Sequence, residues 1–220
     1  MTDEITWYIF TTRMGMMQPV LKEEIEENEP PTLHGRAMDN LAFIRETMER
    51  SASFTAIPGY GGALMGATAV VATVIAHNQA SIRGWLITWL LEACLAFCIG
   101  ILGMWQKAKN SGDSLSSAPA RKFAYGFAPP IIAGIILTSL LYFKGLFAYM
   151  PTIWLTLYGT AVVTGGAYSV RIVPIVGWIF VGLGLLSVFL PTDYGNLLMG
   201  IGFGALHIVF GLIVAKKYGG

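Results

Sequence analysis

From Ile57 onward the chain is a series of six apolar stretches, and its basic residues crowd into every second gap between them. A helix needs about 20 apolar residues to cross a bilayer, which places spans at 57–77, 84–105, 123–143, 149–169, 171–190 and 195–215. Of the 14 Lys and Arg residues, 12 share one side: the N-terminal segment, the second and fourth loops, and the C-terminal residues. Only Arg83 and Lys144 fall on the other. Positive charge stays in the cytoplasm, so the pattern predicts both termini inside. The expected fold class is all-α: a six-helix transmembrane bundle preceded by a cytoplasmic amphipathic helix.

Composition narrows the function classes. Charged residues make up 12% of the chain, about half the share of a soluble domain. The net charge of +1 hides a division: residues 1–33 carry −5, residues 34–55 are neutral and residues 56–220 carry +6. Most of that positive excess is topological, and no clustered basic surface offers itself to nucleic acid. Two cysteines, Cys94 and Cys98, make no disulfide framework. The N-terminus lacks the basic region of a signal peptide and runs into acids instead.

Three regions follow. Residues 1–33 hold an aromatic cluster, Trp7-Tyr8-Ile9-Phe10, then an acidic run and Pro30-Pro31. Such a tail cannot bury enough apolar surface to order itself and is expected to be mobile. Its aromatic cluster is either a docking motif or a short element lying on the protein or the interface. Residues 34–55 contain a helix from Gly35 to Ser51, on which Ala37, Leu41, Ile44 and Met48 recur at spacings of four, three and four and so share one stripe. The pairs Arg45–Glu49 and Glu46–Arg50 flank it. With cancelling charges, this helix lacks the basic face that anionic lipid would hold; it is expected to pack on protein, with the stripe as its docking face. Residues 56–220 are the six-span domain.

Within the spans Glu92 is the one deeply placed acid. A charged carboxylate there costs several kcal/mol, so it must be protonated, paired or facing water. It is a candidate for cation binding or proton transfer, or a packing residue bonded to a neighbouring helix. His207 is the second candidate polar residue, on the inner half of the sixth span. It lies about 10 Å from Glu92 in depth by helix rise, so the two are not expected to touch. His77 ends the first span at the opposite face, which argues against a bis-histidine haem, and no cofactor or metal is expected. Cys94 and Cys98 read as small apolar residues. Tyr158, Thr160, Thr164, Tyr168 and Ser169 on the fourth span line a cavity or bond across helices. Small-residue pairs Gly62–Gly66, Ala161–Gly165 and Gly200–Gly204 mark tight helix contacts. Ala128-Pro129-Pro130 predicts a bend or a late helix start in the third span.

The strings HGRAMDNLAFIRETMERSASFTAIPGYGG, PARKFAYGFAPP, LYGTAVVTGGAYSVRIVP and GFGALHIVFGLIVAKKYGG resemble a family of uncharacterised bacterial polytopic membrane proteins. The likeness runs from His34 onward and implies a bacterial inner membrane; it implies no activity. No nucleophile elbow, phosphate loop or metalloprotease helix is present in the sequence. The leading expectation is a non-enzymatic regulatory or accessory membrane module, embedded in the lipid bilayer, that meets a cytoplasmic protein partner or a second copy of itself through residues 1–55 and the second loop. The alternative is a small-solute or proton-coupled carrier using Glu92. Carriers often show inverted repeats with matching broken helices, and the Pro-interrupted third span has no evident counterpart in the sequence.

Overall fold

The computed structural model describes residues 33–51, 53–112 and 114–219. They form helices joined by short turns, without a named strand among the described residues. The chain divides into two compact units at Met48 and Glu49. The first contains all but the last three residues of α1, Leu33–Ser51, which starts two residues before the expected helix. On it Leu41, Ile44 and Met48 are exposed, as is Ala37. The aromatic and acidic tail, and the pairs Arg45–Glu49 and Glu46–Arg50, lie outside the described residues and side chains.

The second unit holds α2 (Gly59–His77), α3 (Ile82–Ser111), α4 (Ala118–Lys144), α5 (Met150–Gly166), α6 (Ile172–Phe189) and the helical run α7 (Thr192–Tyr218). Among the described residues five helices are long and apolar enough to cross a membrane: α2, α3, α4, α6 and α7. The chain is a multi-pass membrane protein. The remaining expected span, 149–169, contains α5, whose 17 residues fall short of the usual crossing length.

One expectation is overturned. The expected spans 84–105 and 123–143 leave the polar residues 106–122 as the second loop, yet that loop is short: α3 continues to Ser111 and α4 begins at Ala118. Its residues Gln106, Lys107, Ala108 and Lys109 are good helix formers, so polarity marks where the helix leaves lipid and not where it ends. The end is set by Gly112 at φ 71°, a left-handed position suited to glycine. Ser117 then caps α4 through the Ala120 amide.

Nor does α4 start late at its prolines, since Pro129 and Pro130 lie inside the helix. Pro130 brings no amide to the carbonyl four residues back, that of Gly126. Thr164 on α5 supplies a donor instead, its hydroxyl reaching Gly126 O at 2.7 Å. Thr164→Val is expected to destabilise the domain by about 1 kcal/mol, the scale of an interhelical bond in a membrane. Adding Pro130→Ala, which returns the missing amide, should remove most of that loss in thermal unfolding in detergent.

Packing follows the glycines. Helix α2 lies against α3 on one side and α7 on the other; α5 lies against α4 and α6. A Cβ on Gly66 would meet Gly204 O at 2.6 Å, so the two expected small-residue pairs of the first and last spans face each other. Gly159 and Gly177 make the same approach between α5 and α6. Helix α7 changes pitch midway: α-helical over Gly195–Met199, π-helical over Gly200–Leu206, then α-helical from His207.

The segment before α2 is tied to the turn after α5. Phe54 N donates to Tyr168 O at 2.7 Å, and the Ser169 hydroxyl donates to Phe54 O at 2.6 Å. Phe54, Ala56, Ala108 and Ala120 form a small core there.

Candidate functional site

Polar side chains inside an apolar bundle are costly and must find partners, so their bonds show what the interior is built to do. The central pair joins α5 to α7. His207 Nδ1 lies 3.3 Å from Gly202 O, within the π-helical stretch. A carbonyl can only accept, so Nδ1 carries the proton and Nε2 accepts from the Tyr158 hydroxyl at 2.7 Å. Phe180 and Phe203 pack on both rings, and Phe127 meets Tyr158 edge-on. His207 is thus a bonded packing residue. Its local helix is the unusual part: π-helical turns gather at functional sites.

Glu92 is buried at 8% exposure in the seam between α3 and α2, where its Oε1 accepts from the Thr68 hydroxyl at 2.8 Å. Glu92 and His207 are not brought together: one bonds to α2, the other to α5. Cys94 and Cys98 are exposed on α3, and His77 is exposed where α2 ends. No group of three or more His, Cys, Asp or Glu that could hold a metal ion occurs among the described residues.

The polar residues of α5 and the turn after it mostly bond to other segments. Besides Tyr158 and Thr164, Ser169 holds Phe54, whereas Thr160 bonds back to its own turn at Thr156 O. Tyr168 lies under the Lys122 ammonium, 5.9 Å from ring centroid to nitrogen.

Two further knots were not foreseen. At one end of the bundle Asn196 Oδ1 accepts from the Trp85 and Trp89 indoles, each at 3.0 Å, while its amide donates to Thr73 O. That ties α2, α3 and α7 together. The signal was present: Trp85 and Trp89 are one helical turn apart and share a face, and Asn196 is an amide in a strongly apolar stretch. At the other end Lys107, 7% exposed, donates to Ile57 O at 3.0 Å and Gly219 O at 2.7 Å. In the sequence it counted only as a topological charge.

A cavity of about 130 Å³ opens at the Asn196 end, between the start of α5, the end of α6 and the start of α7. Tyr149, Thr152, Ser187 and Thr192 bring hydroxyls to its otherwise apolar wall, and no charged side chain lines it. Ser187 donates to Thr152 at 2.8 Å. Chemically, the side chains that line this cavity offer neutral hydrogen-bonding groups. Compared with protein-family models, curated proteins and solved structures, the chain matches none.

Proposed function

We propose that the chain is a six-span protein of the bacterial inner membrane with both termini cytoplasmic. Its role is that of a non-enzymatic regulatory or accessory module, with α1 receiving a cytoplasmic protein partner. The observation that carries the docking role is the exposed pair Leu41 and Ile44 on a helix whose charges cancel. Such a helix gains more from an apolar protein surface than from anionic lipid.

Support for α5 as the sixth crossing comes from what its two ends touch. A Cβ on Gly195, at the start of α7, would meet the Pro151 ring at 2.7 Å, while the Phe54–Ser169 bonds follow the opposite end of α5. A 17-residue helix rises about 25 Å, and the turns at either end complete the passage. With α5 counted, Lys107, Lys109, Arg121, Lys122, Arg171, Lys216 and Lys217 all belong to the Phe54 end, as the positive-inside rule requires. A reporter active only outside the membrane should be silent when fused after Gly220; activity there sinks the topology.

Leu41→Asp puts a charge in the middle of the stripe without touching a span. Membrane insertion is expected to be unchanged, because it depends on the hydropathy of the spans. Partner recovery by affinity purification from native membranes should fall at least tenfold, the effect of about 1.4 kcal/mol. Equal recovery by wild type and variant removes α1 as the docking element. The rival carrier reading gains nothing from Glu92, which stands in a helix seam with a hydroxyl partner.

A further inference from the structure

The four main helix pairs of the membrane domain are α2 with α3, α5 with α6, α2 with α7, and α4 with α5. Renaming α2, α3, α4 as α5, α6, α7, and the reverse, leaves this set unchanged. The first three helices therefore pack as the last three do. The sequence carries the same relation. Pro58, Leu64, Gly66, Val70, Ile82, Gly84, Trp85 and Leu90 recur as Pro151, Leu157, Gly159, Val163, Ile175, Gly177, Trp178 and Leu183, each pair 93 positions apart. The third helix of each half is irregular at a comparable place. In α4 Pro129 and Pro130 lie 11 and 12 residues after Ala118, and in α7 the π-helical Gly200–Leu206 begins eight residues after Thr192. With three spans per half, the halves have opposite orientations in the bilayer, the arrangement of many secondary transporters.

The two halves are not in the same state. Around Pro151 lies the cavity walled by the start of α5, the end of α6 and the start of α7. Its counterpart, around Pro58, is walled by the start of α2, the end of α3 and the start of α4, and it is shut. The Pro58 ring packs on Gly61 and Gly103, 2.9 and 2.7 Å from a Cβ at either, much as Pro151 packs on Gly195 at 2.7 Å; what differs is the cover above it. Ala56, the counterpart of the cavity-lining Tyr149, is 2% exposed. Lys107 closes over this end through Ile57 O and Gly219 O.

We propose that the membrane domain is a pair of inverted three-span repeats that passes a small uncharged solute by alternating access, with the Pro151 cavity open and the equivalent Pro58 cavity closed by Lys107. The solute class follows from the open wall: hydroxyls among apolar groups, no charge, and about four waters' worth of space. The inference goes beyond partner docking and does not use α1, but it does rest on α5 crossing the membrane.

The test uses the full chain with Cys94 and Cys98 changed to serine, and two single-cysteine reporters. Ser187→Cys reports the open cavity and Ala56→Cys the closed one, each read with a membrane-impermeant maleimide applied to either side of the vesicle. Ser187→Cys should label from the Pro151 side and Ala56→Cys should be protected. Lys107→Met should reverse this, slowing Ser187→Cys and speeding Ala56→Cys by about tenfold each as the population shifts. If Lys107→Met does not accumulate, Gly103→Ala wedges the same closure against the Pro58 ring. Reporters that speed up together show loosening without exchange and overturn the proposal, as do reporters that do not change. Reporters reached from one side only overturn the α5 crossing, and the repeat with it, while leaving partner docking by α1 standing. In proteoliposomes, glycerol is the probe: entry should exceed that into protein-free vesicles and be blocked by labelled Ser187→Cys, and entry no faster than into protein-free vesicles overturns passage.

Discussion

Replacing Gly211 with leucine should abolish the folded membrane domain. A Cβ at 211 would press on the backbone nitrogen of Ala63 and stand 2.8 Å from Gly59 O. Backbone atoms cannot rotate away, so α2 and α7 must separate to admit any side chain. Separation would also strain the Gly66–Gly204 approach and the Asn196 bond to Thr73 O. The expected cost exceeds about 4 kcal/mol, the range reserved for severe overpacking, and should appear as loss of monodisperse protein in detergent. Gly182→Leu is the matched control. Nothing lies within 4 Å of its built Cβ, so the new side chain meets lipid and yield should be unchanged. Equal losses in both variants would mean that added bulk, not the α2–α7 approach, is responsible.

The second large effect belongs to Glu92. Glutamine keeps a carbonyl oxygen for the Thr68 hydroxyl and brings no charge, so Glu92→Gln should accumulate and unfold like wild type. Lysine at 92 carries a charge that the neutral Thr68 hydroxyl, its one side-chain neighbour by hydrogen bond, cannot balance. No acid faces the site: Asp193 is the only other described acid of the membrane domain. A cation at mid-span costs at least about 2.5 kcal/mol, and α3 has only α2 as a substantial packing partner to hold it in place. Glu92→Lys should therefore fail to accumulate. A lysine variant recovered at wild-type yield would show that water reaches the seam.

The apolar stretches and their flanking charges were enough to read the membrane class and the helix positions, because burial in lipid depends on summed hydropathy. Helix ends were harder. The Gln106–Lys122 region looked like a loop because its residues are polar, yet helix propensity and the bonding of Gly112 and Ser117 decide where helices stop. The doubled prolines of α4 looked like an interruption because their remedy, the Thr164 hydroxyl, lies 34 residues away in sequence. The site was less legible still. Glu92 and His207 stand out as rare residues, but whether each is bonded depends on neighbours no single helix reveals. The repeat is visible as a recurring Gly-Trp pair, but it gains meaning only once the helix pairs match.

The closest partners in the membrane domain are far apart in the order of synthesis. Gly66 is made 138 residues before Gly204, which opens the Gly204–Ala215 face that covers its helix. At 5–20 residues per second the interval is roughly seven to thirty seconds. Throughout it the first span stands in the bilayer with a narrow groove of bare backbone turned to lipid or to whatever escorts it. A ribosome stalled before α7 would leave that groove permanently open, a form that membrane proteases could distinguish from the finished protein. Biogenesis of this domain therefore has a checkpoint: the entry of α7.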